Sequence, residues 1–337
     1  MSKLSEVIKF KDNQYISRGN PYIIAEIGSN HDQSLVSAKK LIDVAAECGA
    51  NAAKFQVFAA DDLVSLNHPD RKLVESCVLE TMWIPDLIAH CKSLNVDFLA
   101  STFSVSGFHI LEEAGVVAHK IASSELLHTE LILLTAKSRK PIFLSTGMST
   151  WLDIELVINQ ITACGNADII PMHCTSKYPL PVNESNLSLI PKFHERYGGL
   201  VGFSDHTESL ISGSLAAVLG ASVFEKHITL NKAAPGPDHH YALEPNEFFT
   251  YVENIFTALS SLGNAEKEYA PEESRGRRRQ SVVFLNELHA GETITDSHVG
   301  VEGPRKGIPD YLVHLVIGKK VMIDKTVGDS LMWEDLY

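Results

Sequence analysis

The sequence predicts a closed (β/α)8 barrel followed by a small, mostly β domain. From Tyr22 to about Lys232, short apolar, β-branched runs alternate with longer helical patterns, the signature of βαβ units around a parallel sheet. Eight such runs occur before the composition turns polar near residue 264. Short strand-like runs and turn signals then fill the remainder.

The strand runs are, in order, YIIAEIG, NAAKFQVF, VDFLAST, VAHKIAS, PIFLST, ADIIPMHC, GLVGFS and SVFEKH. Between them, LVSAKKLIDVAAECG and ESLISGSLAAVLG carry apolar residues at three- and four-residue spacing and end in glycine, as helices do. Eight strand–helix units match a closed barrel. An open doubly wound sheet would place a glycine-rich phosphate loop after its first strand, and GSNHDQS is not one. The barrel domain is expected over residues 1–265, ending with the helix PNEFFTYVENIFTALSSLG. The charged stretch that follows reads as a linker over 266–280, and a small domain fills 281–337. In that domain SVVFL and VMIDK read as strands, separated by turns at AGE, GPRKG and VGD. A domain this small is marginal alone, so it is expected to pack on a barrel.

The chain has 337 residues, more than the roughly 250–300 at which a single core stops growing. No signal-peptide pattern opens it, and no apolar run approaches the roughly 18–20 residues that span a bilayer. The five cysteines form no CxxC pair, which argues against a disulfide framework; a cytoplasmic location is expected. A net charge of −13 disfavours nucleic acid and anionic membrane as partners. The basic run RGRRR at Arg275–Arg279 falls in the linker and reads as exposed.

A barrel enzyme places its active site at the C-terminal strand ends, and reactive side chains gather there. Glu26 ends the first strand, Lys54 and Gln56 the second, Thr102 the third, and Lys120, Ser123 and Glu125 follow the fourth. Ser145, Ser176, Tyr178, Asp205, His206, Glu225, Lys226 and His227 continue the series. Two lysines among hydroxyls make an anion site, since ammonium and hydroxyl donors match phosphate acceptors; the alternative is a rim lysine paired with a glutamate. His206 and His227, at successive strand ends, are candidates to converge on a divalent metal acting as a Lewis acid, and nitrogen ligands leave its identity open. The loop PGPDHHYALEP is either a rigid turn or a wall carrying Asp238 to the site. Tyr178 is suited to stacking on a sugar or to a core role.

These same segments resemble the sialic acid synthase family: IIAEIGSNHDQSLVSAKKLIDVAAECGANAAKFQVF, HKIASSEL, PIFLSTGMST, HCTSKYPLP, GFSDHT, FEKHITL and PGPDHHYALEP occur in the family's order. The tail resembles the antifreeze-protein-like (SAF) domain that follows the barrel in that family. The resemblance implies condensation of phosphoenolpyruvate with an N-acetylmannosamine-like hexose, with C–O cleavage and release of phosphate, to give a nine-carbon 2-keto acid. It implies that Lys54, Thr102, Lys120, Ser123, Ser145 and Ser176 hold phosphoenolpyruvate, and that His206 and His227 bind manganese. Gln56, Tyr178 and Asp238 would line the sugar and pyruvyl site, with Glu26 and Glu125 in proton transfer. A domain-swapped homodimer is also implied. One departure stands out: where family tails read close to KRPGxGI, this chain has EGPRKGI, with Gly303 at the position of the sugar-contacting arginine and Arg305 as its substitute. That points to legionaminate- or pseudaminate-type synthesis from a diacetamido-trideoxyhexose as an alternative. More distant alternatives are another phosphoenolpyruvate-using or aldolase-type barrel, or a non-catalytic carbohydrate-binding protein.

Overall fold

The computed structural model describes residues 3–9, 15–267, 279–303 and 306–337. They form two compact units, Met1–Gly263 and Asn264–Tyr337. Most of the expected linker, 268–278, and Arg305 lie outside the described residues.

The first unit opens with a short hairpin, β1 (Ile8–Lys9) paired antiparallel with β2 (Tyr15–Ile16). Eight parallel strands then close into a barrel: β3 (Tyr22–Gly28), β4 (Ala52–Val57), β5 (Asp97–Thr102), β6 (His119–Ile121), β7 (Ile142–Ser145), β8 (Ile169–Cys174), β9 (Gly202–Asp205) and β10 (Val223–His227). β10 pairs with both β9 and β3, which completes the ring. Each expected strand run contains one of these strands, except that β9 runs one residue past GLVGFS to Asp205.

Local signals explain the helices that link them. Ser34 accepts from the Ser37 amide to cap the helix Leu35–Glu47. Thr150 and Asp153 form a reciprocal capping box at the start of Trp151–Ala163, satisfying amides that a helix start leaves open. Leu41, Ile42 and Ala45 on the first helix, and Ile154, Val157, Ile158 and Ile161 on the later one, turn inward at helical spacing. They meet the outward-facing strand residues Ile23, Ala53, Phe98, Leu144 and Phe224 in one apolar layer.

Successive strand residues face opposite sides, so the other parity fills the barrel interior. Tyr22 and Ile24 on β3, Ala52 on β4, Leu99 on β5, Phe143 on β7, Ile170 and Met172 on β8 and Val223 on β10 pack there with Ile8 and Ile16 of the hairpin. The hairpin thereby plugs the N-terminal end. Moving along the same parity toward the strands' C-terminal ends, the side chains change from apolar to Glu26, Lys54, Ser101, Lys120, Ser145, Cys174, Ser204 and Glu225. This one switch in side-chain chemistry separates a dry plug from a polar site.

The second unit holds β11 (Ser281–Phe284) antiparallel to β12 (Val299–Glu302), around a core of Val282, Phe284, Leu288, Ile294, Ile308, Val316, Val321 and Leu331. VMIDK, expected as a strand, makes only isolated bridges, from Val321 to Leu336 and from Lys325 to Leu288. Its partners lie in two different segments, so no continuous ladder forms. Gly303 packs tightly: a Cβ there would lie 3.0 Å from the Arg279 carbonyl oxygen and 3.0 Å from Gln280 Cα.

Candidate active site

A cavity of 420 Å3 opens at the C-terminal mouth of the barrel. Its lining brings together Glu26, Lys54, Gln56, Lys120, Ser123, Ser145, Ser176, Tyr178, His206, His227 and Asp238. These come from seven barrel strands or the loops after them, and interior parity explains most of the selection.

Charge is concentrated at the floor. Lys54 Nζ lies 2.7 Å from Glu26 Oε2 and 3.7 Å from Glu225 Oε1, and Lys120 Nζ lies 3.0 Å from that same Glu225 oxygen. Ser101 Oγ is 3.1 Å from Lys54 Nζ, the Ser204 hydroxyl donates to Glu225 at 3.0 Å, and Gln56 Nε2 donates to Glu26 Oε1 at 2.9 Å. All four ionisable groups are buried, and burial and pairing compete at each. At Glu225, burial opposes ionisation, but Lys120 and Lys54 outweigh it and hold the carboxylate at about 2. Burial also works against the Lys54 ammonium, yet Glu225 and Glu26 push its value up. At Lys120 burial prevails over the attraction of Glu225, and the value falls below the usual lysine range. Glu26 is raised by burial, with Glu225 adding to the rise against the pull of Lys54.

Two lysines, one firmly ionised carboxylate and one raised carboxyl therefore share a pocket, which separates acid and base roles. The paired-lysine alternative and the anion-site expectation turn out to be compatible, because both lysines pair with glutamates and also line the cavity. Ser145 Oγ and Glu225 Oε2 are buried with no hydrogen-bond partner among the described residues. Such groups cost about 1–3 kcal/mol unless satisfied, so they mark where a ligand's polar atoms would go.

Hydroxyls crowd one wall. The Gly147 amide donates to Ser123 Oγ at 3.0 Å, and a Cβ on Gly147 would lie 2.8 Å from Ser123 Oγ and 2.5 Å from Ser176 Oγ. Only glycine lets this backbone approach both hydroxyls.

Beside this wall, the His206 and His227 ring centroids are 5.8 Å apart. His206 Nδ1 is 2.8 Å from the Thr175 carbonyl, which can only accept, so that nitrogen carries the proton. Burial pushes His227 down to about 3, with His206 adding to the fall against Asp238; it is a neutral imidazole with a lone pair to give. Burial opposes charge on His206, but Cys174, with Sγ 4.0 Å from Nδ1, raises it. Among the described residues no group of three or more His, Cys, Asp or Glu side chains is placed to hold a metal. His206 and His227 alone would leave a divalent cation most of its coordination positions open. Tyr178, half-exposed, packs against His206 with ring centroids 4.2 Å apart and the ring planes tilted by 38°.

Two expected residues do not line the cavity. Thr102 has the opposite strand parity from Ser101; its hydroxyl donates to the Ser104 carbonyl at 3.0 Å, away from the cavity. Glu125 ends the tight turn Ser123–Glu125, where its Oε2 lies 2.9 Å from His128 Nδ1, so Ser123 faces the cavity and Glu125 does not. Arg305 lies outside the described residues. Asp205 and Lys226 also alternate outward and pair at 2.9 Å among the helices, with Lys226 5.2 Å from the Tyr251 ring centroid.

Among the polar lining residues, Ser101 and Ser204 were not singled out from sequence, Glu225 was placed at a strand end without an assigned role, and Tyr241 was not singled out. The first three share the parity of Lys54 and Lys120, and that signal was available. Tyr241 lies in a loop after β10, where periodicity is silent.

A model described as the NeuB family matches residues 41–267. N,N'-diacetyllegionaminic acid synthase of Campylobacter jejuni is 33% identical over 88% of this chain and 94% of its own. A crystal structure of N-acetylneuraminic acid synthetase from Leptospira borgpetersenii superposes with a TM-score of 0.76 at 30% identity, covering 81% of this chain and 95% of that one. The spore coat polysaccharide biosynthesis protein SpsE of Bacillus subtilis superposes with a TM-score of 0.70 at 31% identity, over 98% and 99% of the two chains.

Proposed function

Because this chain belongs to the NeuB family, we propose that it condenses phosphoenolpyruvate with an open-chain N-acylated hexose to make a nine-carbon 2-keto-3-deoxy sugar acid. The observation that carries this reading is the buried Lys54–Glu225–Lys120 cluster beside the unpartnered Ser145 hydroxyl. It is a floor of paired lysines and hydroxyls inside a chain of net charge −13.

Lys54 and Lys120 hold the substrate's anionic groups, with Ser123, Ser145 and Ser176 donating to the remaining oxygens. Each charge-assisted bond contributes about 1.5–3 kcal/mol. The acceptor lies outward of this floor, against Tyr178, Gln56 and Asp238. His206 and His227 would hold a divalent cation, manganese in the family resemblance, that supplies Lewis-acid polarisation of the sugar's aldehyde oxygen. C3 of phosphoenolpyruvate forms the new bond to the aldehyde carbon, water adds at C2, and phosphate leaves with its bridging oxygen by C–O cleavage. Glu26, raised toward its protonated form, supplies a proton to the developing alkoxide, and the ionised Glu225 keeps the lysines charged. Fixing both reactants in one cavity removes much of the entropic cost of a two-substrate step.

The acceptor is either N-acetylmannosamine-like or a diacetamido-trideoxyhexose, and relatives of both product types support the reading. The tail serves as an antifreeze-like module in a tail-exchanged homodimer, which light scattering tests. A cytoplasmic setting agrees with the described residues, in which no helix is long and apolar enough to cross a membrane.

The test is phosphate release from phosphoenolpyruvate with manganese and a panel of hexosamines. An aldolase-type barrel would release none, and a carbohydrate-binding protein would turn over nothing. Sugar-dependent phosphate release, lost in Lys120→Met, is the expected result.

A further inference from the structure

The loop after β10 carries a tyrosine with no role so far. Tyr241 is buried and lines the cavity. Its hydroxyl donates to Asp238 Oδ1 at 2.8 Å and lies 3.4 Å from His227 Nδ1. Asp238 Oδ2 accepts from the Ser29 hydroxyl at 3.0 Å and is 4.0 Å from the same histidine nitrogen. A tyrosine hydroxyl has one proton. Spent on the carboxylate, it leaves only the oxygen lone pairs facing His227, so Nδ1 must carry the hydrogen and Nε2 the lone pair.

His206 reaches the same state by a different route, its Nδ1–H taken by the Thr175 carbonyl. Both imidazoles then turn a bare Nε2 away from their protein partners, as two ligands of one cation require. A histidine ligand ordinarily has its second nitrogen held by a carboxylate or carbonyl. Here a phenol stands between imidazole and carboxylate, and Ser29 steadies the far carboxylate oxygen.

We infer that Tyr241 is a positioning residue that fixes the tautomer of His227 through an Asp238–Tyr241–His227 relay, and so prepares Nε2 to bind a divalent cation. This rests on the proposed function for the cation, not for the tautomer.

The experiment uses the full chain labelled with 15N-histidine, first free of metal. Long-range 1H–15N spectra should show His227 in the Nδ1–H form, and Tyr241→Phe should shift it toward the Nε2–H form with the near-ultraviolet circular dichroism retained. Manganese titration by calorimetry should then give a dissociation constant about 10–100-fold weaker for Tyr241→Phe, and a smaller change for Ser29→Ala, which leaves the phenol in place. His227 in the Nε2–H form in the unsubstituted chain, or Tyr241→Phe with unaltered imidazole signals and manganese affinity, overturns the inference. An Nδ1–H His227 in a chain that binds no manganese upholds the relay and removes the metal from the proposed function instead.

Discussion

Glu225 Oε1 lies 3.0 Å from Lys120 Nζ, and this contact joins β10 to β6 across the width of the barrel, four strands apart in the ring. The carboxylate is the common partner of both floor lysines, so it sets the charge of the whole site.

Glu225→Gln keeps the shape and removes that charge. Leaving a buried ammonium without its partner costs about 3–5 kcal/mol, read as a lower urea midpoint. Inorganic phosphate should restore more stability to Glu225→Gln than to the unsubstituted chain, because it substitutes for the missing anion. Equal phosphate stabilisation of both proteins would contradict the assignment of the floor as an anion site.

Gly147→Ala drives a methyl group to 2.5 Å from Ser176 Oγ and 2.8 Å from Ser123 Oγ. Overpacking of this kind costs about 1–3 kcal/mol, and here the hydroxyl wall absorbs it. We expect the KM for phosphoenolpyruvate to rise by about 10-fold or more, from the loss of one or two polar contacts. The KM for the sugar should move less.

Burial depresses His31, His119, His173 and His194 below the ordinary 6.5. Below that pH the unfolded chain binds protons that the folded chain refuses, so stability rises with pH through this window and levels off above it. Each histidine adds up to about 1.4 kcal/mol per pH unit. Urea midpoints measured from pH 5 to 8 should climb and then flatten, and His173→Gln should lower the slope. A flat profile between pH 5 and 6.5 would refute the assignment.

Leu63, Phe103 and Met148 line the same cavity, and Leu63 and Met148 are exposed. An apolar lip suits a sugar bearing a methyl group at C6 better than one with a hydroxyl, by about 10–100-fold in kcat/KM. A matched pair of acceptors differing only at C6 measures this, and Leu63→Asn should narrow the gap.

Strand parity was written in the sequence and explains much of the site. Lys54 and Gln56, two residues apart, reach the cavity together, and the same alternation, applied to Ser101 against Thr102 or to Glu225 against Lys226, separates lining residues from those among the helices. Glu125 could not be placed by alternation, because it follows its strand in a tight turn whose direction depends on its bond to His128. Tyr241 was illegible for a similar reason. The loop after β10 is brought back over the mouth by the Ser29–Asp238 bond, between residues 209 positions apart.

By itself the sequence determined the eight strands, their order and the change along each from apolar to polar side chains, because hydrophobic alternation and helix-stop residues are local properties of the chain. Only the tertiary structure decided which charges meet. The pairing of Glu225 with Lys120, 105 residues apart, and the approach of His206 to His227 depend on the barrel's closure, and their ionisation on how far that closure excludes water.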